Sequence, residues 1–108
     1  MSQVPDTIYH LALVSDWEAA RRDGAYAVST LGVTLEQEGF IHASRADQWR
    51  AVKERFYADV TEPLVLLVID PARLTSPLVV EPVAGTGDEF PHVYGPINLD
   101  AVVRLEPQ

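Results

Sequence analysis

Cysteine is absent from this sequence, which removes disulfides, thiolate metal sites and cysteine nucleophiles from consideration. Long hydrophobic runs are absent too. The longest, Leu64 to Ile69, falls far short of the roughly 20 residues that span a bilayer. Met1 to Thr7 is short and polar, without the charged and apolar blocks of a signal peptide. The protein is therefore expected in the cytoplasm, with no membrane partner.

Positive charge is scarce: eight Lys and Arg stand against sixteen Asp and Glu, a formal net charge of −8. Binding to duplex nucleic acid needs a basic face that displaces counterions. Extended nucleic acid is thus not expected as a partner, whereas a single nucleotide or small cofactor is compatible with the balance. The nearest approach to a basic cluster is Arg45, Arg50, Lys53 and Arg55. These alternate with Asp47 and Glu54 and read as an exposed helix face laced with ion pairs. Gly85-Thr86-Gly87 lacks the third glycine and the following helix of a phosphate-binding fingerprint. No serine sits in a nucleophile elbow, and no two histidines are four residues apart as on a zinc-binding helix. No metal site is expected.

What is present is enough apolar residue, 47% of the chain, to build one core, and 108 residues leave no room for a second. One domain over residues 1–108 is expected. Thr7 to Leu13 reads as a strand. Ser15 with Glu18 three residues on has capping-box spacing and opens a helix to Arg22, which Asp23-Gly24 ends, with Trp17 and Ala20 facing the core. Gly24 to Glu38 is ambiguous; Thr30 to Leu35 reads as a short strand or a turn, and Glu36-Gln37-Glu38 as solvated. Gly39 opens a strand with Phe40, Ile41 and His42, and Ser44 with Asp47 caps a second helix. On that helix Trp49, Val52 and Phe56 form one apolar stripe.

Leu64 to Ile69 is a strand expected to be buried on both faces, and Leu78 to Val83 is another, interrupted in character by Glu81. A loop from Ala84 to Glu89, a strand from Phe90 to Tyr94, a Gly95-Pro96 turn and one or two strands over Ile97 to Leu105 complete the chain. The late strands lack helical crossovers, so the order predicts an α+β domain with a mostly antiparallel sheet and two helices.

The three histidines share a setting. Ile8-Tyr9-His10, Phe40-Ile41-His42 and Phe90-Pro91-His92 each put an imidazole beside bulky apolar residues, on or at the end of a strand. Imidazole donates, accepts and titrates near neutral pH, so three at element ends point to a polar pocket. For each ring the competing role is a hydrogen-bonded structural one. Glu81 is the candidate acid, although alternation also points it to solvent beside Val79 and Val83. Ser44, Tyr94 and Tyr9 are candidate hydroxyl partners. Asp88 and Glu89, beside His92, are weaker acid candidates.

The segments Ile8-Tyr9-His10-Leu11, Glu38-Gly39-Phe40-Ile41-His42-Ala43-Ser44 and Phe90-Pro91-His92-Val93-Tyr94-Gly95-Pro96 resemble the bacterial domain of unknown function 952 family. Trp17 and Leu99-Asp100-Ala101-Val102 extend the likeness over nearly the whole chain. More distantly, that family resembles the ADP-ribosyltransferase superfamily, which includes the RNA 2′-phosphotransferases. The resemblance implies an ADP-ribosyltransferase-like fold. His10 matches the first-strand histidine that grips the NAD ribose, and His42 the second-strand residue at the nicotinamide side. The late-strand glutamate of the classical transferases has no counterpart in register at His92-Val93-Tyr94-Gly95; Glu81 lies one strand earlier.

The resulting expectation is a domain that binds NAD or another nucleotide and acts on an ADP-ribose or phosphate linkage. Its cofactor-binding residues would be His10, His42, Ser44 and Tyr94; its catalytic residues His10, His42, His92 and Glu81. No cofactor is required, and NAD enters as a substrate. A sensor with the same pocket and no turnover is the first alternative. A structural or interaction domain whose histidines tie strand ends together is the second.

Overall fold

A computed structural model describes residues 4–108, so Met1–Gln3, the start of the polar N-terminal segment, lies outside the described residues. The fold is organised around Leu64–Ile69, six consecutive apolar residues that are all buried. Antiparallel partners flank this strand on both sides: β1 (Ile8–Leu13) pairs Ile8 with Ile69, and the last strand (Val102–Pro107) pairs Val102 with the same residue. Alternation divides the apolar side chains between two clusters. Val65, Leu67 and Ile69 pack with Ile8, Ala12 and Trp17 in the main core, while Leu64 and Leu66 meet Leu11 and Tyr57 on the other face. Covering both faces is what a continuous apolar strand requires.

In chain order the elements after β1 are α1 (Val14–Asp23), β2 (Ala25–Tyr26), β3 (Val28–Thr30), β4 (Val33–Thr34) and α2 (Leu35–Glu38). Then come β5 (Ile41–His42), α3 (Trp49–Phe56), β6 (Leu64–Ile69), β7 (Leu78–Val83), β8 (Asp88–Val93), β9 (Ile97–Asn98) and β10 (Val102–Pro107). Beside the sheet β1-β6-β10, a second three-stranded sheet runs β5-β8-β7, and β2-β9 and β3-β4 are two-stranded. All these pairings are antiparallel. Among the described residues the result is a compact single α+β domain with three α-helices. Among the described residues no helix is long and apolar enough to cross a membrane.

Several local expectations are corrected. Ser15 does not cap α1. The strand runs directly into the helix, Leu13 occupies the cap position without a side-chain bond, and the carbonyl of Pro63 accepts the Val14 N–H at 3.0 Å. A tertiary acceptor thus replaces the side-chain cap. The working capping box is Thr34 with Gln37, at the head of α2, a third helix where a strand or turn and a solvated run were expected. Gly24 ends α1 at φ 94°, a left-handed cap, as its position implied.

Ser44 does not cap α3 either. Its backbone pairs with Tyr9 in an isolated bridge, with N–H···O distances of 2.8 and 2.7 Å, which holds it extended. The cap position lies four residues beyond the expected one, at Gln48, and the helix begins at Trp49. Phe56 leaves the expected apolar stripe: it is 61% exposed, and Tyr57, just past the helix end, is buried instead. The loop after β7 contracts to residues 84–87, because Asp88 and Glu89 already pair with Val83 and Pro82. The ion-pair lacing on α3 is not formed. Of Arg45, Arg50, Lys53 and Arg55, only Arg45, which precedes the helix, pairs with carboxylates among the described residues, Asp47 and Asp88, while Arg50 and Arg55 lie over the Trp49 and Phe56 rings.

Candidate functional site

Where β1, β3, β5 and α3 meet the β7–β8 hairpin, the chain forms an open-mouthed cavity of about 510 Å³. Tyr9, Trp49, Phe56, Tyr57 and Phe90 give its wall an aromatic part, and Ser29, Thr30 and Thr86 add hydroxyl groups. His10, His42 and Ser44 also line it. Four of the residues singled out by sequence, Tyr9, His10, His42 and Ser44, are therefore brought to one space. His92, Glu81 and Tyr94 are not among the lining residues; they form an adjoining cluster around Phe40.

His10 and His42 belong to different sheets rather than to neighbouring strands of one, and the Tyr9–Ser44 bridge joins those sheets. His10 lies on the Ile8 and Ala12 side of β1, the side that faces the main core, and is 4% exposed. Its Nδ1–H donates to the His42 carbonyl, and its Nε2 accepts the Tyr26 hydroxyl at 3.0 Å. Both ring nitrogens are thus committed within the protein. Burial lowers the pKa of His10 to about 4, against a partial raising by the His42 carbonyl, so the ring is neutral at pH 7. The same burial raises the Tyr26 phenol, which keeps it a donor.

His42 is half-buried, and its Nε2 stands 3.2 Å from Glu38 Oε1. Burial lowers its pKa first; the Glu38 hydrogen bond opposes that shift and the nearby His92 reinforces it. Because β5 and β8 pair His42 with His92, the two rings meet edge to face at 4.8 Å between centroids. Phe40 stacks on His92 at 4.2 Å and 22°, and contacts His42 and Tyr94 as well.

The β7–β8 register puts Glu81 diagonal to His92, on the same side of the sheet as Val79, which pairs with it. His92 Nδ1–H donates to Glu81 Oε1 at 2.7 Å, and the Tyr94 hydroxyl donates to the same oxygen. These bonds, Tyr94 first and His92 second, hold the Glu81 carboxyl below its ordinary range. The other ring nitrogen, Nε2, is buried without a hydrogen-bond partner among the described residues. Glu81 therefore does not simply face solvent. It orients an imidazole, the arrangement a general base needs, one ring removed from the cavity.

Sequence reasoning missed the aromatic wall. The sequence reads Trp49 and Phe56 as one apolar helix stripe and Phe90 as part of a strand, and neither reading marks a cavity wall. Nothing in a 3.6-residue period distinguishes an apolar residue facing a core from one facing a cavity. Asp88 and Glu89 serve the frame: Arg45 and Gln48 clamp them from the head of α3, Gln48 Nε2 lying 2.7 Å from Asp88 Oδ2. No group of three or more His, Asp or Glu that could hold a metal occurs among the described residues.

The family described as "Protein of unknown function (DUF952)" matches residues 11–105, and this chain belongs to it. The crystal structure of protein CC0527 from Caulobacter crescentus superposes with a TM-score of 0.79 at 28% identity, covering 94% of this chain and 84% of that one. The solution structure of CC0527 gives a TM-score of 0.74 at 28% identity, over 94% and 83% of the two chains. No curated protein matches this sequence.

Proposed function

We propose that this chain is an ADP-ribosyltransferase-like domain that binds NAD or a related nucleotide in the cavity and acts on an ADP-ribose or phosphate linkage. The observation that carries the reading is the cavity, whose volume of about 510 Å³ falls among small-molecule sites of roughly 300–1,000 Å³. A planar heterocycle fits against Tyr9, Trp49 or Phe90, where stacking adds to burial. Ribose hydroxyls meet the hydroxyl and imidazole groups of Thr30, Ser44 and His42. His42 is the acid–base candidate at the cavity; His10 braces the wall, since its ring nitrogens are engaged elsewhere. The proposal takes the protein to be cytoplasmic, where free nucleotides are found.

The test is an NMR titration with adenosine, ADP and NAD. Saturable shifts should cluster at the cavity residues and weaken in His42→Ala. No saturable shift from any of the three at concentrations up to about 1 mM, a free energy near −4 kcal/mol, would sink the proposal.

A sensor without turnover is the second reading. No Asp or Glu lines the cavity among the described residues, and Glu81 is bonded to His92 and Tyr94 in the next cluster. Nicotinamide release from NAD that disappears in Glu81→Gln supports the enzyme. Binding with no release supports the sensor.

A further inference from the structure

Of the eight Lys and Arg, Arg21, Arg45, Arg73 and Arg104 form ion pairs with carboxylates. Arg22, Arg50, Lys53 and Arg55 have no carboxylate within ion-pair distance among the described residues. In a chain of net charge −8 with sixteen carboxylates, leaving cations unpaired runs against composition. Three of the four stand on α3, the helix whose Trp49 and Phe56 wall the cavity.

Two of those three face one place. Arg50 and Lys53 line an open groove of about 880 Å³, and Trp49 and Tyr57 line both that groove and the cavity. The two spaces therefore border the same two aromatic residues. The Arg50 guanidinium lies 4.5 Å from the centre of the Trp49 ring. Stacking on an aromatic face orients a guanidinium and leaves its edge N–H donors free for an anion. Lys53 spends one donor on Gln108 Oε1, at 3.0 Å, and keeps two. The cavity itself has no Lys or Arg among its described lining residues.

From this division of labour we infer that the groove is a phosphate subsite. Arg50 and Lys53 hold the phosphate or diphosphate of a nucleotide whose heterocycle and ribose occupy the cavity across Trp49. The inference rests on the nucleotide reading of the cavity and adds what that reading leaves open: where the phosphates are held. Two carboxylates, Glu54 and Glu62, line the same groove and oppose an anion there. Arg55, over Phe56 at 5.4 Å, is not among the groove's lining residues and serves as a control.

The experiment compares adenosine, ADP and inorganic pyrophosphate by NMR titration of the full chain and of charge variants. ADP should bind at least about tenfold more tightly than adenosine at low salt, and that margin should shrink as ionic strength rises. Arg50→Gln with Lys53→Gln should bring ADP down to the affinity of adenosine, with adenosine binding unchanged. Arg55→Gln should leave both as they are, and Glu54→Gln with Glu62→Gln should tighten ADP. Pyrophosphate alone should shift resonances of α3 in the parent and not in the Arg50/Lys53 double variant.

Equal binding of adenosine and ADP overturns the phosphate subsite and leaves the cavity reading standing. So does a tenfold preference for ADP that survives the Arg50/Lys53 substitutions. Pyrophosphate binding at α3 without any binding of adenosine or ADP at the cavity upholds the subsite and removes the nucleoside site. If none of the three binds, both ideas fall.

Discussion

The ring of His10 is tied to the backbone of His42: its Nδ1–H donates to the His42 carbonyl and so joins β1 to β5, strands of different sheets. A histidine in this position is held neutral, because a buried imidazolium would carry charge in the core and would turn the Tyr26 hydroxyl from donor to acceptor. Its pKa of about 4 lies below the ordinary 6.5. The unfolded chain therefore binds more protons than the folded one between these values. Stability is fully present above pH 6.5 and is lost as pH falls toward 4. The shift of about 2.5 units corresponds to a loss on the order of 3 kcal/mol. Glu81 and Asp88, both held below their ordinary values of 4.5 and 3.8, shed their contributions in a lower window. Urea melts across pH 7 to 4 should show the loss, and His10→Gln should flatten it. An equal slope in parent and variant would exclude His10 as the source.

His42 should titrate below the ordinary histidine range, as burial and the neighbouring His92 dictate. Removing Glu38, whose hydrogen bond opposes that shift, should lower it further in Glu38→Gln. Removing the second imidazole in His92→Asn should raise it. Imidazole proton or carbon shifts followed from pH 4 to 8 measure both. Movement of the His42 midpoint in the same direction in both variants would contradict the geometry of the pair.

Leu66 is fully buried at the centre of β6, with β1 on one side and β10 on the other. Leu66→Ala should cost about 2–5 kcal/mol, the sum of lost transfer energy and a residual cavity. Phe56, by contrast, is 61% exposed at the cavity rim. Phe56→Ala should change stability by no more than about 0.5 kcal/mol, the usual range for surface changes, while weakening any ligand that stacks in the cavity. Denaturant titrations of the two variants decide this, and a large stability loss at Phe56 would return it to the core.

Gly95 follows β8 and lies against Ser76: a Cβ built there would sit 2.4 Å from Ser76 Oγ and 2.8 Å from its Cβ. Ser76 cannot easily yield, because its hydroxyl donates to the Pro96 carbonyl at 2.7 Å. Gly95→Ala should therefore destabilise the fold by on the order of 1–3 kcal/mol, the range for overpacking. Ser76→Gly in the same chain should recover part of that loss. If the double variant is no more stable than Gly95→Ala alone, the contact is not the cause.

The elements legible in advance were those whose signal is local and repeated. Leu64–Ile69 declared itself by six apolar residues in succession, α1 by Trp17, Ala20 and the Gly24 stop, and β7 and β8 by apolar runs on either side of a glycine-bearing turn. Thr34-x-x-Gln37 carried a capping box as plain as the one read at Ser15, but one turn of helix is too short to show a period. The choice between the two boxes was tertiary, since the Pro63 carbonyl was already placed to take the α1 N–H.

The site divides in the same way. Local pattern marked His10, His42 and His92 as imidazoles among bulky neighbours at strand ends, and a strand's period of two put Glu81 on the side of Val79 and Val83. What local pattern cannot contain is which strands become neighbours. The pairing of β5 with β8 brings His42 and His92 into ring contact, and the pairing of β7 with β8 puts Glu81 beside His92 instead of in solvent. The Tyr9–Ser44 bridge draws the sheets together, so that His10 is buried and spent on a carbonyl while His42 reaches the cavity. The sequence by itself determined the fold class, the central strand and the identity of the titrating groups, because these follow from composition and short-range periodicity. Which groups share a cavity, which are committed to the frame and which cations stay unpaired depend on contacts between residues tens of positions apart, and only the tertiary structure decided them.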